Sequence, residues 1–313
     1  METTMLAIDP HQGPRPAVQR FCTLPNGLEI ACQSAKETEH IYEDIFEHRV
    51  YLSHGITLWD GATVFDVGGN IGLFTVFVHQ HFREVSTYTF EPAPPLFEIL
   101  RYNVAKHGGR AKLFNCGVSS RPGSARLTFY PFSSGMSSFY GDLEEEKEVL
   151  RAVLANQRER GQEEVAAVLA SEEEFLDARF TEQSFDCPLV TLSQIIRQEG
   201  IEAIDLLKLD VQKSELDVLL GLDEEDWPKV RQIALEVHDL DGRLGVVLDL
   251  LNERGYRVVA EQDPLYRGSV MYNLFAVRRD VFRAATLPQG TAVARTAKAK
   301  EAFSRLRGAR GGR

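Results

Sequence analysis

The sequence predicts an α/β protein built on a doubly wound, mostly parallel sheet with helices on both faces. Three observations carry this. From Ala62 onward, short apolar runs alternate with segments of helical period, the order that builds parallel sheets. One junction, Val64 to Phe74, reads V-F-D-V-G-G-N-I-G-L-F, an apolar strand that enters a glycine-rich turn and then an apolar helix. Acids also gather where strands end, at Asp66, Glu91, Asp210 and Glu236, and such sheets bind ligands at the carboxyl ends of their strands.

The elements follow in order. Residues 1–20 are polar and proline-containing, with little to order them. F-C-T-L-P-N-G-L-E-I-A-C gives two short strands around Pro25-Asn26-Gly27, a hairpin. Ile41, Ile45 and Phe46 recur at helical spacing between Ser34 and Val50, placing an amphipathic helix where it can roof a pocket. The alternation then predicts strands at Thr63–Val67, Val85–Phe90, Lys112–Cys116 and Ala125–Tyr130, with helices at Gly72–His81 and Pro94–His107. Residues 141–182 interrupt it. There Leu143, Leu150 and Leu154, then Val165, Val168, Leu169 and Leu176, mark two amphipathic helices parted near Gly161. After Leu189 the order resumes, with the capping box Thr191–Gln194 opening a helix. Strand Ile204–Asp210, helix Ser214–Leu222, strand Gln232–Val237 and helix Arg243–Arg254 before Gly255 come next. Strands Tyr256–Ala260 and Tyr272–Arg278 close the fold, the second expected at the antiparallel edge. The chain therefore divides into a cap (1–60), a core (61–280) with an acidic helical insertion (141–182), and a basic tail (281–313).

Bulk properties narrow the function. A hydrophobic share of 43% and a charged share of 26% suit an ordinary globular protein. No apolar run approaches the ~20 residues of a membrane span, and the N-terminus lacks the basic and apolar regions of a secretory signal. Cys22, Cys32, Cys116 and Cys187 are scattered without a C-x-x-C pair, which reads as reduced thiols in a cytoplasmic protein and gives no metal site. A net charge of −11 argues against a general nucleic-acid binder. The charge is uneven: residues 141–182 carry 13 acids and 5 bases, most simply as solvated helix faces, whereas 287–313 carry 7 bases and one acid. That tail reads as a linker or as a docking arm for an acidic partner.

In the glycine turn, Asp66, Gly68 and Gly72 form D-x-G-x-x-x-G, with Gly69 and Asn70 between; backbone without side chains lets a nucleotide-like ligand approach a helix N-terminus. Glu91 ends the next strand at the spacing of an acid that accepts ribose hydroxyls, or caps the helix after Pro92, and Asn115 and Cys116 end the third, where they either meet an adenine edge or form a structural turn. In I-D-L-L-K-L-D, Lys208 and Asp210 alternate with leucines; two charges on a buried strand are costly unless paired, as a buried Lys–Asp or Lys–Glu pair at the sheet end, or functional. In A-L-E-V-H, Glu236 and His238 project to one side, as an oriented general base requires. That makes His238 the candidate base, oriented by Glu236 or Asp210. Ser137, Ser138 and Tyr140 sit in the loop before the acidic helices, where they would either touch an acceptor or pack the loop.

The glycine turn resembles motif I of class I methyltransferases. V-F-D-V-G-G-N-I-G, T-F-E-P, V-T-L-S, L-L-K-L-D-V-Q-K-S-E, A-L-E-V-H and Y-N-L-F-A-V together resemble the FkbM family over roughly Leu24 to Arg278. The resemblance implies a class I, Rossmann-like, mostly parallel seven-stranded sheet, S-adenosyl-L-methionine as cofactor, and methyl transfer to oxygen. L-P-N-G-L-E-I, E-D-I-F-E-H-R-V-Y-L-S-H-G-I-T-L-W-D-G-A and G-M-S-S-F-Y are most similar to O-methyltransferase domains within modular polyketide synthases and polyketide–peptide hybrids. Such a domain would methylate a β-hydroxyl or enol oxygen of an acyl chain held by phosphopantetheine on an acyl carrier protein, with neighbouring synthase domains as partners. His48, Arg49 and the C-terminal arginines are candidates for a basic patch facing the acidic carrier. A free-standing enzyme acting on a small-molecule or sugar hydroxyl, and a non-catalytic cofactor-binding domain, are the rival readings. Many relatives carry D-V-E-G-A-E where this chain has Asp210-Val211-Gln212-Lys213-Ser214-Glu215, and loss of the acid at Gln212 weakens a metal-assisted version.

Overall fold

In the computed structural model, which describes residues 5–11, 20–160 and 172–280, strands too apolar for a water-facing edge assemble into a central sheet. β3 (Thr63–Val67) and β9 (Leu206–Leu209) are buried on both faces and pair in parallel at its middle. β4 (Ser86–Phe90) and β5 (Arg110–Phe114) extend the sheet on one side, and β10 (Gln232–His238), β12 (Met271–Arg278) and β11 (Tyr256–Glu261) on the other. The order is β11-β12-β10-β9-β3-β4-β5, parallel from β10 to β5 and antiparallel at both pairings of β12. This is the mostly parallel seven-stranded sheet of class I methyltransferases. The expected placement of the last strand needs correction: β12 lies inside, and β11 forms the edge. The burial explains the exchange, because β12 buries most of its residues while β11 exposes Arg257, Ala260 and Glu261, as an edge does.

A second correction concerns the strand near Ala125. β7 (Gly123–Phe129) leaves the main sheet and pairs antiparallel with β8 (Gln183–Val190), which also takes β6 (Gly117–Val118) in parallel. β8 alternates exposed and covered positions, the pattern of a strand wet on one face, and the acidic stretch hides its partner in sequence. Within that stretch lie α4 (Leu143–Glu159), capped by the Asp142 carboxylate, and α5 (Glu172–Arg179). Val165, Val168 and Leu169, like the basic tail 281–313, fall outside the described residues.

The cap shares the core. β1 (Phe21–Thr23) and β2 (Glu29–Ala31) form the hairpin, and α1 (Ala35–Tyr42) follows the Ser34 cap and continues as a π-helical turn over Glu43–His48. Leu24, Ile30, Tyr42 and Ile45 pack into one apolar cluster with Val64, Phe74 and Phe77. The buried Asn103 of α3 (Pro94–His107) sews the cap down: its amide exchanges hydrogen bonds with Ala31 and donates to the Ile71 carbonyl in the glycine turn. Three bonds made by one buried side chain fix the cap against the turn.

Candidate functional site

The glycine turn joins β3 to α2 (Leu73–His81) and is shaped by the neighbours it must pass. Gly68 and Gly69 both donate their N–H to the Phe90 carbonyl, pinning the turn to the end of β4. A side chain at Gly68, whose φ is +83°, would lie 1.8 Å from the Asp210 carbonyl. At Gly69 it would lie 2.5 Å from Thr89. The first two glycines thus permit close packing of the turn on β9 and β4 as well as ligand approach. Asn70 takes the left-handed conformation (φ 49°), which asparagine tolerates, and its Oδ1 accepts from the Ile71 N–H.

Against this turn opens a cleft with about 670 Å³ of empty space, at the carboxyl ends of β3, β4 and β9. Gly68, Asn70, Glu91, Cys116, Ser137, Ser138, Asp210 and Gln212 line it together with the apolar Phe90, Leu96, Val118, Leu127 and Phe139. A mostly apolar wall with a few polar groups is the usual make-up of a small-molecule site. Glu91 is 5% exposed, and its two carboxylate oxygens accept N–H bonds from Asn70 and Ala93, each at 2.8 Å. Burial pushes its carboxyl up to about 7, against those two bonds and Lys208, which pull it down. Each oxygen retains a lone pair for a ligand hydroxyl.

Behind the cleft runs a buried charge chain. Asp66 is fully buried; one oxygen accepts from the Thr75 hydroxyl at 2.8 Å and the other lies 3.0 Å from Lys208 Nζ. Lys208 donates to the Gly68 carbonyl at 2.6 Å and stands 3.7 Å from Asp210. Burial pulls its pKa down, but Asp66 and Asp210 outweigh that and raise it, so the ammonium is retained. The paired reading of the β9 charges therefore describes Lys208, whereas Asp210 faces the cleft. Tyr51, from the cap, donates its hydroxyl to Asp210 at 2.6 Å and lays its ring against Lys208 and Phe74.

The other expected residues fall in different places. Asp66, Gly69, Gly72 and Asn115 stand behind the cleft wall. Gly72 caps α2, and Asn115 braces the β4 end by donating to the Glu91 and Pro92 carbonyls. Ser138 donates to the Gln212 carbonyl at 2.6 Å, and the Ser137 hydroxyl accepts from the Tyr130 N–H. Of the two roles open to Tyr140, the geometry matches loop packing: it is 51% exposed, lies outside the cleft lining, and donates to Asp217. His238 departs from its expected orientation. It is 1% exposed, lies outside the lining, and its Nδ1 is 2.7 Å from Glu215, not from Glu236 or Asp210. Sequence spacing favoured Glu236 because it shares a strand face with His238. The first residue of the short helix α7 (Glu215–Leu220), which follows α6 (Leu192–Glu199), reaches that ring instead.

Two of the insertion's acids are not solvated faces. Glu145 and the buried Glu146 hold Lys213 Nζ at 2.7 and 2.9 Å. Lys213 sits at φ 65°, where the related pattern has glycine, so a left-handed backbone that costs a non-glycine residue is held in place by this buried pair. Tyr51, Gln212, Glu215 and Phe139 were not read as cofactor or catalytic residues from sequence, although all four lie within segments that carried the family resemblance. Among the described residues no group of three His, Cys, Asp or Glu is arranged to hold a metal ion, and no helix is long and apolar enough to cross a membrane.

Sheet order, glycine turn and cleft define a class I methyltransferase. The model of the "Methyltransferase FkbM domain" family matches residues 66–258, and the chain belongs to that family. It is 43% identical over 255 residues to "31-O-demethyl-FK506 methyltransferase FkbM" of Streptomyces tacrolimicus, covering 82% of this chain and 95% of that one. It is 39% identical over 262 residues to "AMB antimetabolite synthetase AmbE" of Pseudomonas aeruginosa, where the match spans 82% of this chain and 12% of the synthetase. Among solved structures it resembles a methyltransferase FkbM from Methylobacillus flagellatus KT, with 15% identity, a TM-score of 0.40, and coverage of 71% of this chain and 45% of that one.

Proposed function

We propose that this methyltransferase uses S-adenosyl-L-methionine to methylate a hydroxyl or enol oxygen on a polyketide-type natural product. The observation that carries the reading is the pairing, in one cleft, of a ribose-type acid at the end of β4 with a carboxylate at the end of β9. Glu91, backbone-bonded yet with acceptor capacity left, suits the ribose diol. Asp210, held by Tyr51 and next to Lys208, suits the cationic end of the cofactor. The chain's own groups fit that cofactor: a glycine cradle, an apolar wall from Phe90 to Phe139 for the base, and acids facing its positive charge. When bound, the cofactor supplies an activated methyl group on a sulfonium. The protein's share is to align the acceptor oxygen in line with that carbon, exclude water, and receive the hydroxyl proton. Transfer to oxygen is supported by the name of the Streptomyces tacrolimicus relative, which this chain matches along 95% of its length.

A second reading, supported by the match to a segment of a much longer synthetase, is that the acceptor rides as an acyl chain on the phosphopantetheine of an acyl carrier protein, with neighbouring synthase domains as partners. One experiment addresses both. The protein is incubated with S-adenosylmethionine and, separately, 31-O-demethyl-FK506, a β-hydroxyacyl carrier protein and a β-ketoacyl carrier protein, and products are read by intact mass and fragmentation. An oxygen-linked methyl on the free compound supports the first form, and one on a carrier-bound chain the second. Methyl transfer only to nitrogen or carbon of these acceptors, or none to any of them, would reject both.

A further inference from the structure

We propose that Glu236 is the group that receives the acceptor's proton, and that His238 belongs to a structural ion pair beside it. This rests on the O-methylation reading above and names the base within it. Three ionisable groups gather at the ends of β9 and β10. Asp210 is engaged by the Tyr51 hydroxyl at 2.6 Å and by Lys208 at 3.7 Å, both at one carboxylate oxygen, and the reading above assigns it to the cationic end of the cofactor. His238 is committed too. Burial lowers its pKa, but the bond and charge of Glu215, with Glu236 and Glu146, outweigh that and raise it. A ring buried against Glu215 and shifted toward its protonated form is poorly placed to accept a proton.

Glu236 is different. The bond it accepts comes from a neutral amide, Gln212 Nε2 at 3.2 Å, and Gln212 and Asp210 are both cleft-lining residues. Glu236 as a residue is half-buried where His238 is 1% exposed, and although Glu236, like His238, lies outside the cleft lining, its partner Gln212 lies in it. The groups facing it are Asp210 from β9, Glu215 from α7, His238 from its own strand, Tyr51 from the cap and Tyr266 from the loop before β12. Burial first, then the neighbouring Asp210 charge, push its carboxyl up to about 8, with His238 pulling the other way. A poorly solvated carboxylate beside another anion is a far better base than an ordinary one. As the oxygen–methyl bond forms, the carbon–sulfur bond breaks and its electron pair stays on sulfur. The hydroxyl proton passes to a Glu236 oxygen, and the sulfonium charge and the carboxylate charge are extinguished together.

The test uses the full chain as wild type, Glu236→Gln, His238→Gln and Glu91→Gln, with two readouts. In turnover of whichever of the three acceptors the wild type methylates, E236Q is expected to lose about 10²–10⁴-fold in kcat while calorimetric affinity for S-adenosylmethionine stays within about threefold. The wild-type rate should rise with pH through an apparent pKa near 8, and H238Q, which removes a positive neighbour, should move that limb upward and not abolish it. Difference infrared spectra without any acceptor should show two carboxylic-acid bands in wild type, one ionising near pH 7 that E91Q lacks and one ionising near pH 8 that E236Q lacks while keeping the first. Turnover by E236Q within threefold of wild type, or a wild-type spectrum without the second band, would overturn the proposal. If the wild type forms no oxygen-linked product, the O-methylation reading fails, and the infrared result still decides the state of Glu236.

Discussion

Two carboxylates at strand ends, Glu91 beside the glycine turn and Glu236 beside β9, have similar sequence settings and opposite surroundings. Glu91 directly follows β4, Glu236 lies within β10 two residues from its end, and both are pushed upward by burial, to about 7 and about 8. Glu91 is gripped by two backbone N–H groups, whereas Glu236 accepts from one distant amide and faces other acids. Burial alone therefore does not set a role. A carboxylate whose position is locked by backbone donors serves as a fixed acceptor for hydroxyls, and one left among anions is suited to take a proton.

The comparison can be broken or sharpened in four steps. The largest effect is expected from Lys208→Met, which leaves buried Asp66 uncompensated and strips Asp210 of its cation. Urea unfolding should show a loss of about 3–5 kcal/mol. Next, Glu91→Gln removes a charged acceptor from the cofactor side. Affinity for S-adenosylmethionine should fall by roughly one to two orders of magnitude in calorimetry, as charge-assisted bonds are worth about 1.5–3 kcal/mol. The third step is pH. Both acids have folded pKa values above their unfolded value of 4.5, so the folded state holds more protons and stability is highest below that pH. Each group's contribution is lost as pH rises, toward about 7 for Glu91 and about 8 for Glu236. Glu236→Gln should therefore flatten the fall, by at most about 1.4 kcal/mol per pH unit, in unfolding curves taken across that window. The smallest effect belongs to His54→Ala, which cuts an exposed 2.8 Å contact between the cap and Glu261 on β11. Unfolding should change by no more than about 1 kcal/mol, and a larger change would mean that the cap depends on the sheet edge more than its packing indicates.

Much of this molecule was legible in its chain. The strands β3, β4, β9, β10 and β12 could be read because each is a short apolar run ended by a turn, and the helices because their apolar residues recur at helical spacing. The glycine turn was legible because a left-handed backbone leaves a mark in residue type. The same logic explains a miss: Lys213 occupies such a conformation without being glycine, since a buried ion pair from α4 sustains it. β8 was hidden because a strand wet on one face, next to an acidic insertion, has too little apolar content to stand out.

The sequence by itself determined which residues end strands, and so placed Glu91, Asp210, Glu236 and His238 near one another. Only tertiary structure decided what each of them touches. Tyr51 arrives at Asp210 from 159 positions away, and Glu215 claims His238 from a different element. Spacing along a strand fixes the face on which a side chain stands, because the pleat repeats every two residues. It says nothing of the partner that faces it, and the partner sets charge, hydration and proton affinity.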